Sequence, residues 1–200
     1  MKYKILVNTM TGARILLTLA SMYMIWKHGE QIFWITIVTL MIYTSDFLDG
    51  RLARKWNVVS KNGALFDVIA DSIYIILLTI EMEFLGAIPK WFIFVIGEKL
   101  IEFLVTSHYL TNQSISREKF IFDFPGRCTA VLFYILPYTA FLLTNIFAGR
   151  NARYIGILYI FTTGLSMTAS VVRIKKCFDA YRKTSLTDTL KKNWTSYETL

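Results

Sequence analysis

Asp46-Phe47-Leu48-Asp49-Gly50-Arg51-Leu52-Ala53-Arg54, then Gly63, Asp67 and Asp71, is the stretch on which the reading of this chain turns. Four of the seven aspartates fall here, where two apolar segments meet. An ionisable group beside a bilayer is costly and marks a functional site by default. At 100° per residue, Asp46, Asp49, Gly50, Ala53 and Arg54 share roughly a 140° arc of one helix. Ser60, Gly63, Asp67 and Asp71 share roughly 80° of the next. Two helix faces, each with a carboxylate pair beside a glycine, describe a metal site with room for a phosphate. A lone aspartate here would read as a solvated junction residue; four at this spacing do not.

Outside this stretch the composition is that of an integral membrane protein. The 200 residues are 54% hydrophobic and 16% aromatic, with a mean hydropathy of +0.45. Six segments approach the roughly 20 apolar residues needed to span: about 10–27, 31–50, 63–83, 90–110, 126–147 and 153–172. The first follows a short amphipathic lead-in. Arg14 interrupts it and no small-residue cleavage site follows, so an uncleaved first span is expected.

With the N-terminus inside, about seventeen lysines and arginines fall on the cytosolic side and four opposite. Both termini and the Asp46–Asp71 junction are therefore expected to face the cytosol. The net charge of +8 then reads as topology and attraction to anionic headgroups, with no nucleic-acid partner. Cys128 and Cys177 match no zinc or redox spacing, and free thiols are expected. No internal repeat is visible, which argues against repeat-built transporters.

The chemistry follows from the oxygen ligands. Mg²⁺ or Mn²⁺ prefers carboxylates and is commonly bound together with a substrate phosphate. Two such ions among four aspartates could clamp a pyrophosphate and stabilise charge as a phosphoanhydride breaks. One carboxylate would remain to take a proton from an attacking hydroxyl. Gly50 and Gly63 lack a Cβ and admit close approach, and Arg54 offers a planar fork for phosphate.

The string Asp46-x2-Asp49-Gly50-x2-Ala53-Arg54-x8-Gly63-x3-Asp67-x3-Asp71 resembles, at every fixed position, the signature of the CDP-alcohol phosphotransferase family. The resemblance implies an all-α domain of six transmembrane helices over residues 1–175, followed by a polar basic cytosolic tail, 176–200. It implies a membrane enzyme of phospholipid biosynthesis that moves a substituted phosphate from a CDP-linked donor to an alcohol, releasing CMP. Residue by residue, it implies that Asp46, Asp49 and Asp67 hold one ion and that Asp67 and Asp71 hold a second. It makes Asp71 the general base and puts Gly50, Arg54 and Ser60 on the CDP portion. Asn8-x2-Thr11-x2-Arg14 resembles a further family element at the nucleotide site; the three fall within about 120° of one helix.

The nearest branch is the phosphatidylglycerophosphate synthases, which makes CDP-diacylglycerol the expected donor and glycerol 3-phosphate the expected acceptor. Inositol phosphate, serine and phosphatidylglycerol remain open as acceptors, as does a CDP-choline or CDP-ethanolamine donor. Phe124-Pro125-Gly126-Arg127-Cys128-Thr129 stands where that branch has a Gly-Lys-x-x-Thr element, with Arg for Lys and the threonine one residue early. Arg127 and Arg173 are candidates for an acceptor phosphate or plain cytosolic charges. Glu98, Lys99 and Glu102 depart from the family pattern, and Lys99 with Glu102 is read as a self-neutralising pair. Family members are often homodimers. Outside the family, a cation carrier or a non-catalytic scaffold is the rival; the first wants carboxylates at the midplane, the second the loss of at least one.

Overall fold

A computed structural model describes residues 2–28, 31–56, 61–113, 124–146 and 152–197. These form six helices and, among the described residues, no strand: α1 (Lys2–His28), α2 (Ile32–Lys55), α3 (Lys61–Phe84), α4 (Phe92–Gln113), α5 (Phe124–Ile146) and α6 (Ala152–Tyr197). The expected lead-in is not a separate element but the first turns of α1. α6 runs without a break through 175 into the basic tail. At 1.5 Å per residue its 46 residues extend about 69 Å, more than twice the roughly 30 Å hydrocarbon core.

Four helices are long and apolar enough to cross a membrane: α2, α3 from Gly63, α5, and α6 over Ile155–Asp179. Charges interrupt α1 at Arg14 and α4 at Glu98, Lys99 and Glu102. The bundle is bound by α1 against α2 and α3, α5 against α3 and α6, and α4 against α6. α3 thus touches helices on both sides, and its buried Tyr74, Leu78 and Met82 enter the common core with Ile35, Ile42, Phe92, Phe133 and Tyr159. Phe92 meets Tyr159 and Phe133 edge-on, at centroid separations of 4.7 and 5.8 Å.

Hydroxyls inside this apolar bundle bond back to their own helices, as Thr18 does to Arg14 O and Thr39 to Ile35 O. α3 ends where Gly86 adopts φ 71°, with its N–H on Glu83 O and the Ala87 N–H on Met82 O. That pattern closes the helix on a residue without a Cβ penalty.

Candidate active site

The turn from α2 to α3 brings the two carboxylate pairs together. Side-chain oxygens of Asp46, Asp49 and Asp67 lie within 4.8 Å of one another. One helix turn beyond Asp67, Asp71 joins them. A single cation, the guanidinium of Arg14 on α1, ties all four. Its Nη1 is 2.9 Å from Asp46 Oδ1, 3.2 Å from Asp67 Oδ1 and 2.5 Å from Asp71 Oδ1. Its Nη2 donates to Asp49 Oδ2, which also accepts from Thr11 Oγ1 at 3.3 Å.

Arg14 is fully buried and the Asp49 side chain is 3% exposed, whereas those of Asp46, Asp67 and Asp71 are 36%, 41% and 34% exposed. The site is a cup, closed below by Arg14 and Asp49 and open at three carboxylates.

The guanidinium nitrogen Nη1 stands in for a cation at the centre of the oxygens. Asp67 Oδ1 is buried and meets Arg14 Nη1 only as an ion pair at 3.2 Å, without a hydrogen bond, so its lone pairs retain capacity for an ion. An added Cβ at Gly50 would meet only Arg54 Nη2, at 3.9 Å. Packing within the chain therefore does not demand glycine there, and the space lies beside Asp49 on the site face. Hard oxygen donors, a buried carboxylate oxygen without a hydrogen bond and room beside them fit a divalent ion with a phosphate ligand.

The other expected site residues distribute unevenly. Thr11 and Arg14 share the face of α1 that meets the aspartates, while Asn8 is exposed one turn earlier. Arg54 is exposed near the end of α2. Ser60 lies outside the described residues. Arg127 is exposed in the first turn of α5. Arg173 is buried against α4: Nε donates to Thr106 Oγ1 at 2.5 Å and Nη2 to Ser107 Oγ at 2.6 Å, with Phe103 stacked 4.9 Å from its carbon.

Lys99 and Glu102 form the expected pair, at 2.7 Å, and Ser170 of α6 bonds to both. Cys128 and Cys177 are not joined in a disulfide.

Sequence reasoning missed two features. The resemblance implies a nucleotide contact for Arg14 but not its pairing with the carboxylates; an arginine inside a span, one helix away from four aspartates, is the available signal for that pairing. A tyrosine cluster was also missed: Tyr43 and Tyr74 share a 3.1 Å hydrogen bond, and Tyr134 packs on both rings at 5.2 and 4.5 Å. Tyr43 precedes Asp46 by three residues and Tyr74 follows Asp71 by three, so each lies on the carboxylate face of its helix.

The pattern of CDP-alcohol phosphatidyltransferases matches residues 4–172, most of the chain. The chain belongs to that family. Similar proteins include a CMP-forming cardiolipin synthase of Streptomyces coelicolor, 38% identical over 58 residues, which are 29% of this chain and 27% of that protein. Putative cardiolipin synthases of Mycobacterium bovis and Mycobacterium tuberculosis are 30% identical over 87 residues, 43% of this chain and 41% of theirs. The matched stretches span less than half of each of these relatives. As a CDP-alcohol phosphatidyltransferase family member with four apolar spanning-length helices, the chain is an integral membrane protein. The carboxylate cup lies within the matched residues.

Proposed function

We propose that this protein transfers a phosphatidyl group from CDP-diacylglycerol to an alcohol and releases CMP. The convergence of four carboxylates from two helices on one cation position supports the reading. Asp46, Asp49 and Asp67 would hold one Mg²⁺ or Mn²⁺, and Asp67 and Asp71 a second. Bound ions would neutralise the pyrophosphate and the charge that builds on the leaving phosphate. Thr11, Gly50, Arg54, Asn8 and Ser60 receive the CDP portion, and Arg14 turns to it when ions replace its guanidinium. Asp71 takes the proton of the acceptor hydroxyl. That oxygen bonds to the phosphorus bearing diacylglycerol, and the bond from this phosphorus to the CMP oxygen breaks with its electron pair.

Phosphatidylglycerol is the acceptor we favour, in place of glycerol 3-phosphate. The relatives named as cardiolipin synthases point that way, and Arg173, one of two candidate phosphate ligands, is already engaged by α4. Glycerol 3-phosphate is the second reading, carried by exposed Arg127 at the mouth of α5.

The reading also places six spans in the membrane, with both termini and the cup on the cytosolic side. Leu16 and Leu19 of α1, and Phe94, Ile101 and Val105 of α4, are exposed, as lipid-facing residues would be. The charges of Arg14, Lys99 and Glu102 are instead paired inside the bundle.

The test is an assay with labelled CDP-diacylglycerol, Mg²⁺ or Mn²⁺ and a panel of acceptors, scoring CMP and the lipid product. Cardiolipin from phosphatidylglycerol is expected. Phosphatidylglycerophosphate from glycerol 3-phosphate would move the assignment to the second reading. No CMP from any acceptor would refute the activity.

A further inference from the structure

At the far end of α3 from the aspartates, α1 and α3 enclose an apolar groove with a cavity of about 560 Å³. Leu19, Tyr23 and Trp26 of α1 line it, together with Phe84, Leu85 and Glu81. Glu81 is the anomaly. It is 4% exposed, and neither carboxyl oxygen has a hydrogen-bond partner among the described residues. An unpaired buried carboxyl is costly whether ionised or protonated, since each form leaves donor or acceptor capacity unused. It lies ten residues beyond Asp71, about 15 Å along the helix, so the carboxylate cup does not use it.

A second charge stands nearby. Lys27 Nζ donates to Tyr23 Oη at 2.9 Å, and Tyr23 is part of the groove wall. A carboxyl in the wall and an exposed ammonium at the rim match a zwitterion lying the opposite way. The rim residues Trp26 and Phe84 are 80% and 87% exposed, an apolar border suited to acyl chains beside an interfacial tryptophan.

We propose that this groove binds a phospholipid whose headgroup ends in a primary ammonium, with Glu81 receiving the ammonium and Lys27 the phosphate. A divalent ion would want several carboxylates, and the groove has one. A second copy of this chain docking through an apolar face would leave Glu81 unpaired. A quaternary ammonium has no N–H to give, and a glycerol headgroup has no cation.

The test uses the full chain in vesicles of equimolar dioleoyl phosphatidylethanolamine, phosphatidylcholine and phosphatidylglycerol, extracted in mild detergent, with the retained lipid counted by native mass spectrometry. Phosphatidylethanolamine should be retained roughly tenfold over phosphatidylcholine, the scale of one charge-assisted hydrogen bond. Glu81→Gln should abolish that preference, and Lys27→Ala, which removes a contact to the phosphate both lipids carry, should lower the retention of both. Equal retention of phosphatidylethanolamine and phosphatidylcholine, or an undiminished preference in Glu81→Gln, overturns the proposal. Should Glu81→Gln fail to fold, photo-crosslinking of the unaltered protein with a phosphatidylethanolamine that carries the photoreactive group on an acyl chain, its ammonium intact, decides. Crosslinks on Tyr23, Trp26 or Phe84 support the site, and crosslinks confined to other helices refute it.

Discussion

Arg14→Gln tests whether the arginine substitutes for an ion. The side chain is fully buried and meets all four aspartates, but these contacts differ in weight. The Arg14–Asp49 pair is buried on both sides, and removing one member of such a pair costs about 3–5 kcal/mol. The other three carboxylates are a third or more exposed, so solvent screens each of those contacts to roughly 0–1 kcal/mol. The loss should therefore sit near 3–5 kcal/mol rather than four times that. For a domain of this size each kcal/mol is about 2–4 °C, so melting in excess chelator should fall by roughly 10 °C. Adding Mn²⁺ should then stabilise the variant more than the unaltered protein. An ion at 100 times its dissociation constant contributes about 2.7 kcal/mol, and in the unaltered protein part of this is spent displacing the guanidinium. The assay is thermal unfolding in detergent, with EDTA and across a Mn²⁺ titration. Equal melting of the two proteins in EDTA, or equal rises with Mn²⁺, would refute the idea that Arg14 occupies the cation position.

Asp71→Asn should cut turnover by about 10²–10⁴, the usual worth of a positioned base, while labelled CDP-diacylglycerol still binds; retained turnover would remove Asp71 from that role. Gly50→Ala meets nothing closer than 3.9 Å and should gain about 0.5–1 kcal/mol of helix stability. Its KM for CDP-diacylglycerol should nonetheless rise, read by unfolding and kinetics on one preparation. Lys99→Met leaves Glu102 buried without its cation and should destabilise by about 3 kcal/mol; Lys99→Met with Glu102→Leu should recover most of it, as a double-mutant cycle in thermal unfolding would report. Tyr74→Phe keeps the ring contacts and loses one hydrogen bond to Tyr43, so a stability change of about 1 kcal/mol is expected.

The helices were legible because hydropathy and length constrain a membrane chain strongly: each of the six apolar segments falls on a helix, and only the ends moved. The cup was legible for a related reason. A carboxylate in an apolar segment needs a partner, so Asp46, Asp49, Asp67 and Asp71 had to converge. Which cation they would meet was harder to read. Asn8, Thr11 and Arg14 share a face, yet periodicity is silent on how far α1 is displaced along α2 and α3. A displacement of one turn, about 5.4 Å, would have put Thr11 or Thr18 where Arg14 now sits. Arg173 shows the same limit from the other side. Its charge at the end of an apolar segment fits an acceptor site, but the hydroxyls that hold it, Thr106 and Ser107, are polar residues of α4 that periodicity alone does not aim at α6.

Glu81 marks where such reasoning should be pushed further. The argument applied to the aspartates, that a buried carboxylate demands a partner, applies equally to it, and in the chain it sits between Thr79 and Glu83 with no signature around it. The four aspartates find their cation within the fold; among the described residues Glu81 does not. A carboxyl without a partner among the described residues, facing an open groove in a membrane protein, is physically consistent when the lipid supplies the donor.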